Sequence, residues 1–125
     1  MTFEAELHAA QGLGSAKSGL RHWLVQRITA ALLIPLGVWF VLFFILLLTA
    51  PFDVAYGWLS SPWTASLSIL FIISSFYHGY LGMQVIWEDY VSRETLKWAL
   101  ILGTKLLSIV AALLAIVSIL KIFIS

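Results

Sequence analysis

The sequence predicts an all-α integral membrane protein with three transmembrane helices, from its composition and from the spacing of its charged residues. Of its 125 residues, 62% are apolar and 10% are charged, and the mean hydropathy is +1.01. Ordinary globular domains are roughly 45–50% apolar and about 25% charged. A soluble fold of this length would leave apolar patches too large for a monomer in water, which excludes a soluble enzyme.

The charged residues form two clusters that long apolar stretches separate. Five charged residues lie in residues 1–27 and five more lie in residues 88–97. Residues 28–52 contain no charged residue and no histidine, and residues 54–87 contain no Asp, Glu, Lys or Arg and one histidine, His78. Both stretches exceed the roughly 20 residues that a transmembrane helix needs.

These stretches predict the order of the elements. They are a polar amino-terminal arm at residues 1–24 and a three-helix domain at residues 25–125, with helices at about 25–49, 64–89 and 94–122. Pro35 lies inside the first helix, where neighbouring helices compensate for a kink. The connection between Pro51 and Pro62 is expected to be a loop. Lys105 interrupts the third helix, so its ammonium must extend to the membrane surface or find a partner.

Basic residues predict the orientation in the membrane. They occur in the arm and in the second connection, as Lys17, Arg21, Arg27, Arg93 and Lys97. Because cytoplasmic loops are enriched in Lys and Arg, we expect the amino terminus in the cytoplasm and the carboxyl terminus in the periplasm. The acidic start and the long first apolar stretch fit neither a secretory nor a transit signal, so we expect a retained anchor. This favours a bacterial plasma membrane over the mitochondrial inner membrane.

The absence of cysteine limits the chemistry of the chain. Without cysteine there are no disulfides, no thiolate metal sites and no protein-held iron–sulfur clusters. Any such cluster must belong to another chain. The net charge of +1 comes without a basic stripe, so nucleic acid is not an expected partner.

His78 is the most informative residue, because an ionisable side chain inside a span is costly and usually faces protein or a ligand. If the second helix leaves the membrane at Trp87, His78 lies about 13 Å below that surface. Ser75, Gly79 and Gly82 fall within about 100° of His78 around the helix and leave a shallow groove beside it. Neutral imidazole in such a groove is suited to ligate haem iron, and if two histidines ligate the iron, the second would come from a partner.

A second interpretation of His78 needs no cofactor. A lone histidine in a membrane can hydrogen-bond to an adjacent helix, and a face of Ser and Gly is a common helix-packing surface. The residues around His78 leave both interpretations open.

Two further groups of residues suggest chemistry at the cytoplasmic surface. Tyr90 can donate a hydrogen bond to a quinone carbonyl, and Asp89 or Glu88 can orient it or relay protons from water. Arg27 can pair with a haem propionate, and Arg21 and His22 can assist it. The alternative is structural, since interfacial tyrosines and arginines also anchor helices.

Two motifs together resemble one family. The first comprises Trp23, Gln26, Arg27, Thr29 and Ala30, and the second comprises His78, Gly79, Gly82, Met83, Asp89, Tyr90 and Val91. With the three-helix layout, they resemble the small hydrophobic membrane-anchor subunits of succinate dehydrogenase, respiratory complex II. The resemblance covers about residues 19–125.

The resemblance implies a role in a larger complex. The chain would pair with a second three-helix cytochrome b anchor subunit into a six-helix bundle that holds haem b, and would dock an iron–sulfur subunit and a flavoprotein subunit carrying FAD. His78 would be the axial haem ligand of this chain, Tyr90 would donate a hydrogen bond to ubiquinone, and Asp89 would support that pocket. Residues near a haem propionate would be Arg27 and one of Arg21 and His22.

Two other functions remain open from the sequence. Fumarate reductases use related anchors, so the direction of turnover does not follow from these residues. A non-redox membrane protein, such as a transporter subunit or an assembly factor, would use His78 as a buried polar or proton-relay group. Such pathways usually contain several polar residues, and the spans contain only His78 and Lys105 as ionisable groups within them.

Overall fold

The computed structural model describes residues 13–125, with side chains from Gly19 onward, and this part of the chain consists of helices without strands. The helices are α1 (Leu13–Thr49), α2 (Phe52–Leu59), α3 (Pro62–Tyr90) and α4 (Glu94–Ile124). This confirms the predicted all-α class.

Three of these helices are long and apolar enough to cross a membrane. The candidate spans are Gly19–Thr49, Pro62–Tyr90 and Glu94–Ile124, of 31, 29 and 31 residues. At about 1.5 Å per residue they measure about 44–46 Å, which exceeds the roughly 30 Å of a hydrocarbon core. The predicted three-helix architecture is therefore confirmed, and each span includes residues that lie in the headgroup regions.

The structure differs from the predicted helix boundaries at two places. Helix α1 begins at Leu13, so the second half of the predicted arm is helical, while residues 1–12 lie outside the described part. The first connection was expected to be a loop but contains α2, which follows Pro51 and has Asp53 in its first turn. An acidic side chain there is favourable beside the positive end of the helix dipole.

The ends of α3 follow from local chemistry. Pro62 is its first residue, where a proline is tolerated because that N–H needs no partner within the helix. The helix stops at Tyr90 because Val91 adopts an extended conformation, with φ −102° and ψ 110°. Arg93 is also extended, and α4 starts at Glu94. The turn between α3 and α4 is therefore short, and the two helices run antiparallel.

Helix α3 packs against both α1 and α4. On the α1 side, the rings of Phe40 and Phe71 stack with centroids 4.5 Å apart. On the α4 side, Trp87 Nε1 donates a hydrogen bond to Thr104 Oγ1 at 3.0 Å. Tyr56 of α2 and Ser125, which directly follows α4, form a hydrogen bond near the opposite end of α4.

Few side chains are buried within the described part of the chain. They are Thr29, Leu36, Ala65, Ser74, Leu81 and Ile101. Large apolar side chains are exposed along all three long helices. In a membrane protein such side chains contact lipid or other subunits, so the chain does not bury its apolar surface by itself.

Ala65 provides a test of this packing. Its side chain is 5% exposed, and Ala65→Leu would force three extra carbon atoms into a filled contact. Overpacking of this kind costs about 1–3 kcal/mol. We expect a lower thermal-unfolding midpoint in detergent. The neighbouring Ser66 is exposed, so Ser66→Leu should leave the midpoint unchanged, and equal losses in both variants would contradict the packing of Ala65.

Candidate functional site

His78 lies in the interior of α3, twelve residues before the end of the helix at Tyr90, and its side chain is half-buried. Twelve residues correspond to about 18 Å along a helix, which places His78 deep in the span. Its Nδ1 lies 3.0 Å from Thr29 Oγ1 of α1. This hydrogen bond joins α1 to α3 at the level of the histidine.

Thr29 is a site residue that reasoning about single residues did not single out, although it belongs to the first motif. It is 7% exposed, and its Oγ1 lies 2.8 Å from the carbonyl oxygen of Val25 and 3.1 Å from that of Gln26. The signal in the sequence was a polar side chain two residues after Arg27, the last charged residue before the first long apolar stretch. That signal does not identify the hydrogen-bond partner of Thr29, because the pairing depends on the rotation of α1 against α3.

The small residues near His78 divide between two environments. Ser74 is 3% exposed, and a Cβ atom added to Gly82 would lie 3.9 Å from Gln26 Nε2 of α1. A Cβ atom added to Gly79 would meet nothing within 4 Å. The groove predicted beside His78 is therefore closed by α1 on one side and open at Gly79 on the other.

The arrangement fits one half of a haem site. His78 Nδ1 is engaged by Thr29, whereas the structure gives Nε2 no hydrogen-bond partner among the described residues. Within that same part of the chain, no three His, Cys, Asp or Glu side chains lie close enough to hold a metal ion by themselves. The open space at Gly79, next to His78 in the chain, leaves room for a flat macrocycle against α3, and a second ligand to its iron would come from elsewhere.

The basic residues at the start of the first span lie on different faces of α1. His22 is half-buried and falls about 20° from Thr29 around the helix, whereas Arg27 falls about 160° away. Arg27 is exposed, and its guanidinium carbon lies 5.6 Å from the centroid of the Trp23 ring. Arg21 is exposed about 80° from Thr29 on the other side. The structure thus groups His22 with the Thr29 face and does not bring Arg27 to it.

Gln26 is a second polar residue on the α1 surface that faces α3. Its Oε1 is buried and has no hydrogen-bond donor among the described residues. Gln26 precedes Thr29 by three residues, so the two side chains lie on neighbouring positions of one helix face. A polar surface therefore leads from the amino-terminal half of α1 toward His78.

Asp89 and Tyr90 lie at the carboxyl-terminal end of α3, which the basic residues predict to face the cytoplasm. Tyr90 is 84% exposed and Asp89 is exposed. The structure gives neither side chain a hydrogen-bond partner among the described residues, whereas the neighbouring Glu88 accepts a hydrogen bond from Gln84 Nε2 at 3.0 Å. Asp89 follows His78 by eleven residues, about 20° around the helix and about 16 Å along it. Asp89 and His78 therefore share one face of α3.

Lys105 lies on the opposite side of α3 from His78. It lines an apolar groove of about 210 Å³ between α3 and α4, together with Phe76, Tyr77 and Tyr80. The one ion pair between described residues joins Lys97 to Glu94, at 3.4 Å, so Lys105 has no carboxylate partner there. The Lys105 ammonium therefore either extends to the membrane surface or pairs with a group of another molecule.

The fold and this arrangement of residues define a class of protein: an all-α membrane anchor with three transmembrane helices and an imidazole inside the middle one. Residues 1–120 match the family of succinate dehydrogenase/fumarate reductase transmembrane subunits. The chain belongs to this family, which confirms the resemblance seen in its motifs.

Relatives of similar length support this assignment. The chain is 38% identical over 117 residues to a succinate dehydrogenase hydrophobic membrane anchor subunit of Rickettsia bellii, with 94% of each chain covered. It is 37% identical over 109 residues to the protein of the same name in Rickettsia conorii, with 86% of each chain covered. The corresponding protein of Rickettsia typhi is 32% identical over 117 residues, covering 91% of this chain and 94% of the relative.

Proposed function

We propose that this chain anchors a succinate dehydrogenase in the membrane, supplies one axial ligand to haem b and forms part of the site where ubiquinone is reduced. The family and the three spans support the anchoring role. The observation that carries the haem proposal is the hydrogen bond between His78 Nδ1 and Thr29, because it leaves Nε2 as the nitrogen available to iron.

The residues of this chain would contact the haem from one side. His78 Nε2 would ligate the iron, and Gly79, where an added Cβ atom would meet nothing within 4 Å, would leave room for the porphyrin. When bound, the haem supplies a one-electron redox centre. A second three-helix anchor subunit would provide the other axial ligand and complete a six-helix bundle. Arg21, His22 and Arg27 are the candidates to hold the haem propionates, and the face that His22 shares with Thr29 favours His22 among them.

Quinone reduction would take place at the exposed end of α3. The Tyr90 phenol would donate a hydrogen bond to a ubiquinone carbonyl, and the Asp89 carboxylate would orient the phenol or pass protons from water. Both groups are exposed, as residues that contact a substrate and a docked subunit would be in an isolated chain. The electrons would arrive from an iron–sulfur subunit that receives them from a flavoprotein containing FAD, since this chain has no cysteine.

Fumarate reduction is the second candidate function, because the matched family includes the anchors of both enzymes. The relatives named above are all succinate dehydrogenase subunits, which favours succinate oxidation. The assigned roles of His78 and Tyr90 would be the same in either direction of electron flow.

Replacement of His78 tests the haem proposal. In the detergent-solubilised complex, His78→Ala should abolish or shift the haem bands in the dithionite-reduced absorption spectrum, because the iron loses an axial ligand. The flavoprotein should still co-purify, since the apolar packing of the helices is unchanged. An unaltered haem spectrum in this variant would refute the assignment.

Replacement of Tyr90 tests the quinone proposal. Tyr90→Phe should lower succinate:quinone reductase activity about 100-fold, at the lower end of the effect of one positioned proton-donating group. Succinate oxidation with an artificial acceptor should stay at the wild-type rate. Tyr77→Phe, on the same helix but within the span, should leave both activities unchanged. Equal loss of both activities in Tyr90→Phe would contradict a role at the quinone.

Single cysteines test the proposed orientation, with the amino terminus in the cytoplasm of a bacterial cell. The natural sequence contains no cysteine, so each new thiol is unique. Asp53 is exposed in the first turn of α2 and Ser92 is exposed two residues after the end of α3, so α3 lies between them in the chain. In intact spheroplasts, a membrane-impermeant maleimide should label Asp53→Cys and spare Ser92→Cys, and labelling in the reverse pattern would overturn the orientation.

A further inference from the structure

We infer that Thr29 is a positioning residue for His78: it holds the imidazole as the Nδ1–H tautomer, presents Nε2 to the iron and strengthens Nε2 as an electron donor. This inference rests on the proposed haem-ligating function of His78. The function proposed above uses Thr29 only as the hydrogen-bond partner of His78.

The protons available at Thr29 identify the donor in this hydrogen bond. A threonine hydroxyl has a single proton, and Thr29 Oγ1 lies within hydrogen-bonding distance of the carbonyl oxygens of Val25 and Gln26, at 2.8 and 3.1 Å. Carbonyl oxygens only accept, whereas Nδ1 can donate, so every contact of Thr29 Oγ1 is a hydrogen bond when the hydroxyl proton points to the backbone of α1. The contact of 3.0 Å between Thr29 Oγ1 and His78 Nδ1 is then a hydrogen bond only if Nδ1 carries the proton.

This assignment leaves His78 Nε2 with a free lone pair. A neutral imidazole carries one proton, so an Nδ1–H tautomer is unprotonated at Nε2. Metal-binding histidines generally donate their other N–H to a carbonyl, a carboxylate or water, which fixes the tautomer and the ring orientation. At His78 the hydroxyl of Thr29 takes the place of that acceptor.

The position of Thr29 makes the arrangement rigid. The residue is 7% exposed, so water does not compete for its hydroxyl. The branched Thr side chain has few allowed rotamers in a helix. The two hydrogen bonds from His78 Nδ1–H to Thr29 Oγ1 and from Thr29 to the Val25 carbonyl run in series, and each strengthens the other in a medium of low dielectric constant. The ring of His78 is thereby tied to the backbone of α1.

This chain of hydrogen bonds has an electronic consequence. Donation from Nδ1–H places more electron density on the ring and makes Nε2 a stronger ligand. A stronger donor favours the oxidised iron, which carries the higher charge. Loss of the Thr29 hydroxyl should therefore make the haem easier to reduce and should weaken its retention.

Thr104 offers a matched control in the same chain. Its Oγ1 lies 2.7 Å from the Leu100 carbonyl oxygen and accepts a hydrogen bond from Trp87 Nε1 at 3.0 Å. This is the same arrangement, in which a threonine bonded to its own helix accepts from an aromatic N–H on α3. Trp87 follows His78 by nine residues, about 180° around α3, so the Thr104 contact is on the side away from His78. Thr104→Val removes an equivalent interhelical bond without touching the ligand.

The experiment compares Thr29→Val, Thr29→Ser and Thr104→Val in the complete complex in detergent, by optical redox titration of the haem and by electron paramagnetic resonance of its ferric form. Thr29→Val should shift the reduction equilibrium about three- to tenfold toward ferrous haem, which corresponds to about 28–59 mV. It should also change the ferric g values and lower haem affinity about 10- to 100-fold. Thr29→Ser and Thr104→Val should both give the wild-type potential and g values.

The outcomes separate this inference from the function on which it rests. A wild-type potential and wild-type g values in Thr29→Val would overturn the role of Thr29, as would the same shift, or the same loss of haem, in Thr104→Val. Loss of haem in Thr29→Val alone, with retention in Thr29→Ser, would support it. The proposed function fails in a different measurement, if His78→Ala leaves the haem spectrum unchanged.

Discussion

The absence of water from the bilayer interior is the constraint on which the arrangement of these helices depends. A polar group inside a span must find its partner within the protein, because hydrocarbon offers none. Among the described side chains of the three long helices, two such partnerships cross between helices, Thr29 with His78 and Trp87 with Thr104. They lie on opposite sides of α3 and connect it to α1 and α4, so the central helix is fixed in rotation by polar contacts as well as by shape. The polar contact to α1 also holds the imidazole that we assign to the haem.

The scarcity of buried side chains fits an anchor rather than a self-sufficient bundle. Six described side chains are buried, and two of them are polar, Thr29 of α1 and Ser74 of α3. The remaining apolar surface is exposed on all three long helices. A chain of this kind is stable when lipid and other subunits cover it, and the open space beside Gly79 lies where a cofactor and a second anchor subunit are proposed to meet it.

The proposed chemistry is distributed along one helix. His78 and Asp89 share a face of α3 and are about 16 Å apart along its axis, and Tyr90 lies next to Asp89 at the exposed end. The residue assigned to iron is thus deep in the span, where water is excluded. The residues assigned to quinone are at the surface, where protons are available. Proton delivery to quinone would then not require a polar path through the membrane interior.

The sequence by itself determined the class, the number of spans and the family. Long stretches without charge can only be transmembrane helices in a chain of this composition, and the motifs around Thr29 and His78 indicated the family that the comparisons confirm. The roles of His78, Tyr90, Asp89, Arg27, Arg21 and His22 stay predictions. The sequence did not reveal α2, since the prolines at both ends of that segment indicated a loop.

Only the tertiary structure decided which side chains meet. The helices are apolar on all sides, so no stripe of apolar residues shows which face of each helix is buried. The pairing of Thr29 with His78, the choice of the α1 face that meets α3 and the matching contact of Thr104 all depend on the rotation and register of one helix against another. Those two quantities arise from side-chain packing between residues distant in the chain, which local sequence patterns do not encode.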